Sequence, residues 1–181
     1  MKISTRGFTI VELLIVIVII GILAAITIVA YNGIQNRAAD TSVQSDMRNI
    51  AKKLEIAKLD SSTDSYPTSN AALATAMDPA IKVNKSNYLT APDASYNLLV
   101  CFPTLTNPTE YILLAYSKSG KRLYIRTGGA VTEYTGATSW AGGVAGTMCN
   151  SVASGWTASG AGYSAGDVAP NGPWRAWAGG N

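Results

Sequence analysis

Histidine is absent from all 181 residues, which removes the commonest general base near neutral pH and the commonest transition-metal ligand. Cysteine is almost as scarce. Cys101 and Cys149 are the only two, too few to make a zinc site by themselves. Charged residues are 14% of the chain, against about 25% in ordinary soluble domains. The acids Asp60, Asp64, Asp78 and Asp93 are scattered through loop-like sequence, and no stretch has the spacing of an EF-hand or a P-loop. A serine or threonine nucleophile has no evident activating partner. These absences argue against an enzyme and leave no catalytic residue, cofactor or metal ligand to nominate. The net charge of +3 gives no strong nucleic-acid signal either, and without residues 1–7, which hold Lys2 and Arg6, the balance is 12 minus 11, or +1.

Proline is also missing before Pro67, and the long proline-free stretch holds the most informative residues. From Phe8 to Tyr31 the only charge in 24 residues is Glu12. As a helix this run spans about 36 Å, enough for a hydrocarbon layer about 30 Å thick. Lys2 and Arg6 precede it and no cation follows until Arg37, so the positive-inside rule keeps the N-terminus cytoplasmic and sends the rest outward. A secretory signal has a shorter apolar core, about 7–15 residues. A plain single-pass anchor explains length and orientation but not the acid, because a carboxylate inside a membrane helix costs about 2.5–3.5 kcal/mol and usually has a partner.

The run Gly7-Phe8-Thr9-Ile10-Val11-Glu12, then Leu13-Leu14 and Ile20-Gly21-Ile22-Leu23-Ala24-Ala25-Ile26, resembles the N-terminus of type IV pilins and of the pseudopilins of type II secretion. The resemblance implies a leader, residues 1–7, cut after Gly7 by a prepilin peptidase, and methylation of the new amine on Phe8. Cutting there sets an ammonium one turn from Glu12. In a bundle of such helices the amine of one copy can face the acid of another, and low dielectric penalises any register that leaves either alone. One departure stands out. Val29 occupies a place where the family often has proline, so local melting between Gly21 and that position is less well supported here.

Beyond the anchor, Val43, Met47, Ile50, Leu54 and Ala57 recur at helical spacing, with charged residues such as Arg48, Lys52 and Lys58 elsewhere around the helix. One helix over residues 8–59, about 78 Å long, is predicted: a membrane and assembly segment at 8–31 and an amphipathic continuation at 32–60. The polar run at 60–69, with a Tyr66-Pro67 pair similar to one common after the long helix in the family, ends it. Residues 70–79 read as a short helix capped by Ser69. Strands are predicted at 95–102, 110–118, 121–127 and 130–134, with Ser119-Gly120 as a hairpin turn. Short connections favour an antiparallel sheet, which the stripe from Val43 to Ala57 can cover. The fold class is thus α+β and pilin-like, with the sheet of the head in residues 61–135.

Residues 136–181 hold all four tryptophans and 11 of the 17 glycines, so regular structure should be sparse. Trp140, Trp156, Trp174 and Trp177 either fill the core of the head or form a binding surface. In an oxidising compartment Cys101 and Cys149 can pair or can stay as two buried thiols; in type IV pilins a disulfide often pins a C-terminal loop to the sheet. Residues 136–156 are expected to fold back on the sheet.

The resemblance implies these partners: further copies of the chain or other pilins in a polymer, the prepilin peptidase, the membrane assembly machinery, and the lipid bilayer before assembly. The location changes with assembly, from the inner membrane to a filament at the cell surface. A minor pilin that binds DNA or a surface, and a secretion pseudopilin, remain as alternatives. Major pseudopilins are understood to bind calcium through acids in a C-terminal loop, and beyond Glu133 this chain has one acid, Asp167.

Overall fold

The long helix α1, Ile10–Leu59, opens the chain in a computed structural model that describes residues 7–79, 81–89, 97–138, 140, 145–156 and 162–164. Lys2, Arg6, Ser95, Tyr96, Trp174 and Trp177, and the leader before Gly7, lie outside the described residues. Two units divide the chain, one ending at Arg37 and the other beginning at Ala38. α1 is helical without interruption through Gly21, Val29 and Gly33. A side chain at Gly21 or Gly33 would meet nothing within 4 Å.

In the second unit, α1 buries Val43, Met47, Ile50 and Leu54, four of the five positions whose spacing defined the stripe; Ala57 is half-buried. After the polar loop comes α2, Asn70–Ala76, whose N-cap Ser69 accepts from the Ala72 N–H at 3.0 Å. A 3-10 turn, Lys85–Asn87, precedes the sheet. Strands β1 (Leu98–Cys101), β2 (Ile112–Tyr116), β3 (Arg122–Arg126) and β4 (Thr132–Glu133) form an antiparallel sheet with β5 (Gly162–Ser164), in the order β4-β3-β2-β1-β5. The β2–β3 hairpin turns at Ser119-Gly120. Gly120 has φ +92°, a conformation that costs glycine little because it has no Cβ, and the resulting register sets Tyr116 opposite Arg122.

Strand period 2 sends alternate side chains to opposite faces, and here both faces are covered. Leu98, Val100, Leu113, Ala115, Leu123 and Ile125 join the α1 stripe, Leu73 and Met77 in one core. Leu99, Cys101, Ile112 and Leu114 face a second core with Trp140, Met148, Cys149 and Trp156. This double cover explains why every residue of β1 is buried. Among the described residues, the glycine-rich stretch beyond residue 136 contributes two regular pieces, α3 (Ala145–Val152) and β5. α3 forms because Met148, Cys149, Val152 and Ala153 lie on one side of a helix and meet the sheet. Trp140 donates its indole N–H to Ser151 Oγ at 3.0 Å and stacks on Tyr134 at 5.2 Å, so Trp140 and Trp156 serve as core.

Polar groups fasten the sheet end of the head to α1. The Ser117 and Ser119 hydroxyls both donate to Asp40, Tyr88 donates to Asp46 at 3.0 Å, and Asn87 donates to Ser42 Oγ at 2.8 Å. Burial pushes the Asp46 carboxyl above its ordinary range, against the opposing effect of the Tyr88 hydrogen bond. The Tyr88 phenol is raised as well, by burial first and then by Asp46. At the other end of the sheet, Tyr66 donates to Glu55 at 2.9 Å and packs edge-on against Tyr111.

Cys101 on β1 is bonded to Cys149 on α3, with Cα atoms 5.9 Å apart and a sequence separation of 48. Closing a loop of that length in the unfolded chain stabilises the fold by about 4 kcal/mol in the chain-entropy account. Replacing both cysteines by alanine in the detergent-solubilised full chain is therefore expected to lower the unfolding midpoint by about 10 °C or more. A midpoint unchanged from wild type would show that the second core holds without its tie.

Candidate assembly and anchoring segment

Within the first unit, eighteen large apolar side chains from Phe8 to Ile34 are at least half exposed. They surround the helix on every side, so no stripe faces a core of its own. Each such side chain gains about 1.5–3 kcal/mol on full burial, which puts the unrealised burial of this segment in the tens of kcal/mol. Among the described residues, α1 is the helix long and apolar enough to cross a membrane. Such a surface is stable only in apolar surroundings.

The helix start organises the single charge. Thr9 is the last residue before α1 and Glu12 sits in its first turn. The Glu12 carboxylate accepts from the Thr9 N–H at 2.8 Å and from the Thr9 hydroxyl at 2.7 Å, while Thr9 Oγ1 accepts from the Glu12 N–H at 3.2 Å. This reciprocal arrangement is a capping box, which satisfies two donors that a helix N-terminus otherwise leaves open. The carboxylate also stands at the positive end of the helix dipole. Thus the acid that needs a partner in an apolar setting already has a neutral one in its own chain. Sequence reasoning singled out Glu12 and passed over Thr9, although the Thr-x-x-Glu spacing at 9–12 carries the signal.

Of the other residues singled out, Gly7 and Phe8 precede the helix in non-helical backbone, and Phe8 is 91% exposed. Phe8, Glu12, Leu13, Ile15 and Val16 border one open recess. A side chain on Gly7 would meet nothing within 4 Å, so the chain's own folding does not require glycine there. Cys101 and Cys149 belong to the second unit and serve its core. Among the described residues no three of His, Cys, Asp and Glu lie together in a way that could hold a metal ion.

A family profile described as the prokaryotic N-terminal methylation motif matches residues 3–28. The type II secretion system core protein G of Dickeya chrysanthemi is 34% identical over 117 residues, 64% of this chain and 72% of that protein. The core protein G of Klebsiella michiganensis is 40% identical over 70 residues, 39% of this chain and 48% of that one. PilA4, the type IV wide pilus major component of Thermus thermophilus, is 41% identical over 70 residues, 39% of this chain and 52% of that one. No solved structure matches the chain. The chain belongs to the pilin and pseudopilin family, and it spans about half the length of the Klebsiella michiganensis and Thermus relatives.

Replacing Thr9 by valine keeps the shape of the side chain and removes the cap. Loss of about 1 kcal/mol at the helix start is expected to speed amide exchange at Val11 and Glu12 about fivefold in micelles, with membrane insertion unchanged. Equal exchange in both proteins would show that the Glu12 carboxylate holds the first turn alone.

Proposed function

We propose that this chain is a structural subunit of a type IV pilus or pilus-like filament. It is made as a precursor with a cytoplasmic N-terminus and α1 held in the inner membrane. A prepilin peptidase cuts between Gly7 and Phe8, the new amine of Phe8 is methylated, and the assembly machinery of the membrane lifts the subunit into a filament at the cell surface. The observation that carries this reading is the sleeve of exposed apolar side chains from Phe8 to Ile34, closed at its start by one capped acid. The non-helical backbone at residues 7–9 supports the cut, because proteases engage extended chain. The freedom around Gly7 supports a glycine requirement that comes from the peptidase.

Cleavage changes the electrostatics of the capped end. A cation appears one residue before Thr9, beside a carboxylate that is already held in place. In a bundle of α1 helices, the amine of one copy and the Glu12 of another neutralise each other only at matching heights, and a mismatch leaves both charges in a low-dielectric setting. Lateral burial of the sleeve supplies cohesion and the charge pair supplies register. The boundary near Ala38 agrees with this division of labour: side chains through Ala38 are exposed, and the buried ones begin at Ala39.

A second reading, a pseudopilin within a type II secretion system, is favoured by the names of the Dickeya and Klebsiella relatives. Deleting the gene separates the two: loss of protein export with long pili intact supports the pseudopilin.

The N-terminal mass of the protein in sheared filaments is expected to begin at Phe8 and to carry one added methyl group; a chain still starting at Met1, or at any residue other than Phe8, overturns the processing scheme. Glu12→Ala is expected to insert into the membrane normally yet lower filament yield by about tenfold or more, as loss of a buried charge pair implies. A wild-type yield would exclude the charge pair as the source of register.

A further inference from the structure

The head carries a second, different pair of complementary surfaces at opposite ends of its stretch of α1. Where that helix stops, a groove of about 740 Å³ opens beside α2, with Ile56, Ala57, Ala72 and Ala76 along it and Asp60 and Asp78 on its rim. Apolar surface is left uncovered there: Ile56 is 57% exposed, and the adjacent Leu59 is 80% exposed. Asp40 lies twenty residues earlier on the same helix, about 30 Å away at 1.5 Å per residue. Two turns meet at that end. The Lys118 N–H donates to the Asn87 carbonyl at 2.9 Å, and Tyr88 pairs with Ser117. These contacts bring Lys118 of the β2–β3 turn and Lys85 of the 3-10 turn to one end of the head. The Ser117, Ser119, Asn87 and Tyr88 hydrogen bonds to α1 hold both turns in place. Among the described residues, Asp60, Asp78, Lys85 and Lys118 have no ion-pair partner.

We propose that the groove at Asp60 and Asp78 receives the Lys85 and Lys118 turns of a second copy of this chain. The proposal rests on the filament reading and adds to it the contact between heads. A head-to-tail contact needs two different complementary patches on one subunit, and such a contact can repeat without closing. An acidic, partly apolar groove at one end of a helix and a basic pair at the other meet that requirement. The aliphatic stems of the lysines lie along Ile56, Ala57, Ala72 and Ala76, while their ammonium groups reach the rim carboxylates. Opposite charges at the two ends of a chain whose net charge is small favour one orientation of stacking and penalise the reverse.

Charge reversal in the full chain, expressed in cells that make the filament, tests this. Asp60→Lys with Asp78→Lys is expected to cut the yield of sheared filaments by about tenfold, and Lys85→Asp with Lys118→Asp by a similar factor. All four together should restore most of the yield, which a variant that merely misfolds cannot do. Wild-type yield from either pair, or no recovery in the fourfold variant, overturns the groove. Glu12→Ala runs in parallel: loss of filaments there with full yield from the charge reversals refutes the head contact alone. Absence of filaments from the wild type refutes both readings.

Discussion

Apolar surface that no other part of its own unit covers governs this protein. Between Phe8 and Ile34 the helix presents large hydrocarbon side chains on every side, and the energy of burying them exceeds the stability of an ordinary domain. Water is therefore a poor lasting environment for this segment, which needs apolar surroundings. Because that attraction has no direction, it sets neither height nor order. Direction must come from polar groups, and in this segment the one charge is Glu12. The capping box with Thr9 fixes where its carboxylate stands within its own chain.

The second unit solves the opposite problem. Its stretch of α1 has a single apolar stripe, and the sheet, with Leu73 and Met77, buries it from Val43 to Leu54. The other face of the sheet would then stand bare, and a second core built from Trp140, Met148, Cys149 and Trp156 closes it. A glycine-rich stretch has a high entropic cost of ordering. The disulfide lowers that cost by joining α3 to β1, and the two tryptophans repay it with area. Serine and tyrosine hydroxyls on Asp40 and Asp46 then select one seating of the sheet on the helix, since an acid buried without donors would be costly.

Much of this was legible before any coordinates. The stripe at Val43, Met47, Ile50 and Leu54 showed as a 3.6-residue period, and β2 and β3 showed as runs separated by Ser119-Gly120. Local signals carry such features, since a turn or a helix face is decided by residues a few positions apart. Thr9 was equally legible, as the first residue of a Thr-x-x-Glu capping box. β5 was not legible: three residues, Gly162–Ser164, become a strand only because β1 offers them an open edge. α3 was hidden by composition, since glycine and serine dilute the apolar side that Met148, Cys149 and Val152 form.

By itself the sequence determined that a long apolar helix with one acid near its start opens the chain, and that a small α+β head follows. Hydropathy and helical period are properties of neighbours along the chain and need no fold to be read. Only the tertiary structure decided that both faces of the sheet are covered, that Cys101 meets Cys149, and that Asp40 and Asp46 are buried with hydroxyl partners. Each of those facts joins residues more than forty positions apart, and which distant groups meet is settled by the packing of the whole head.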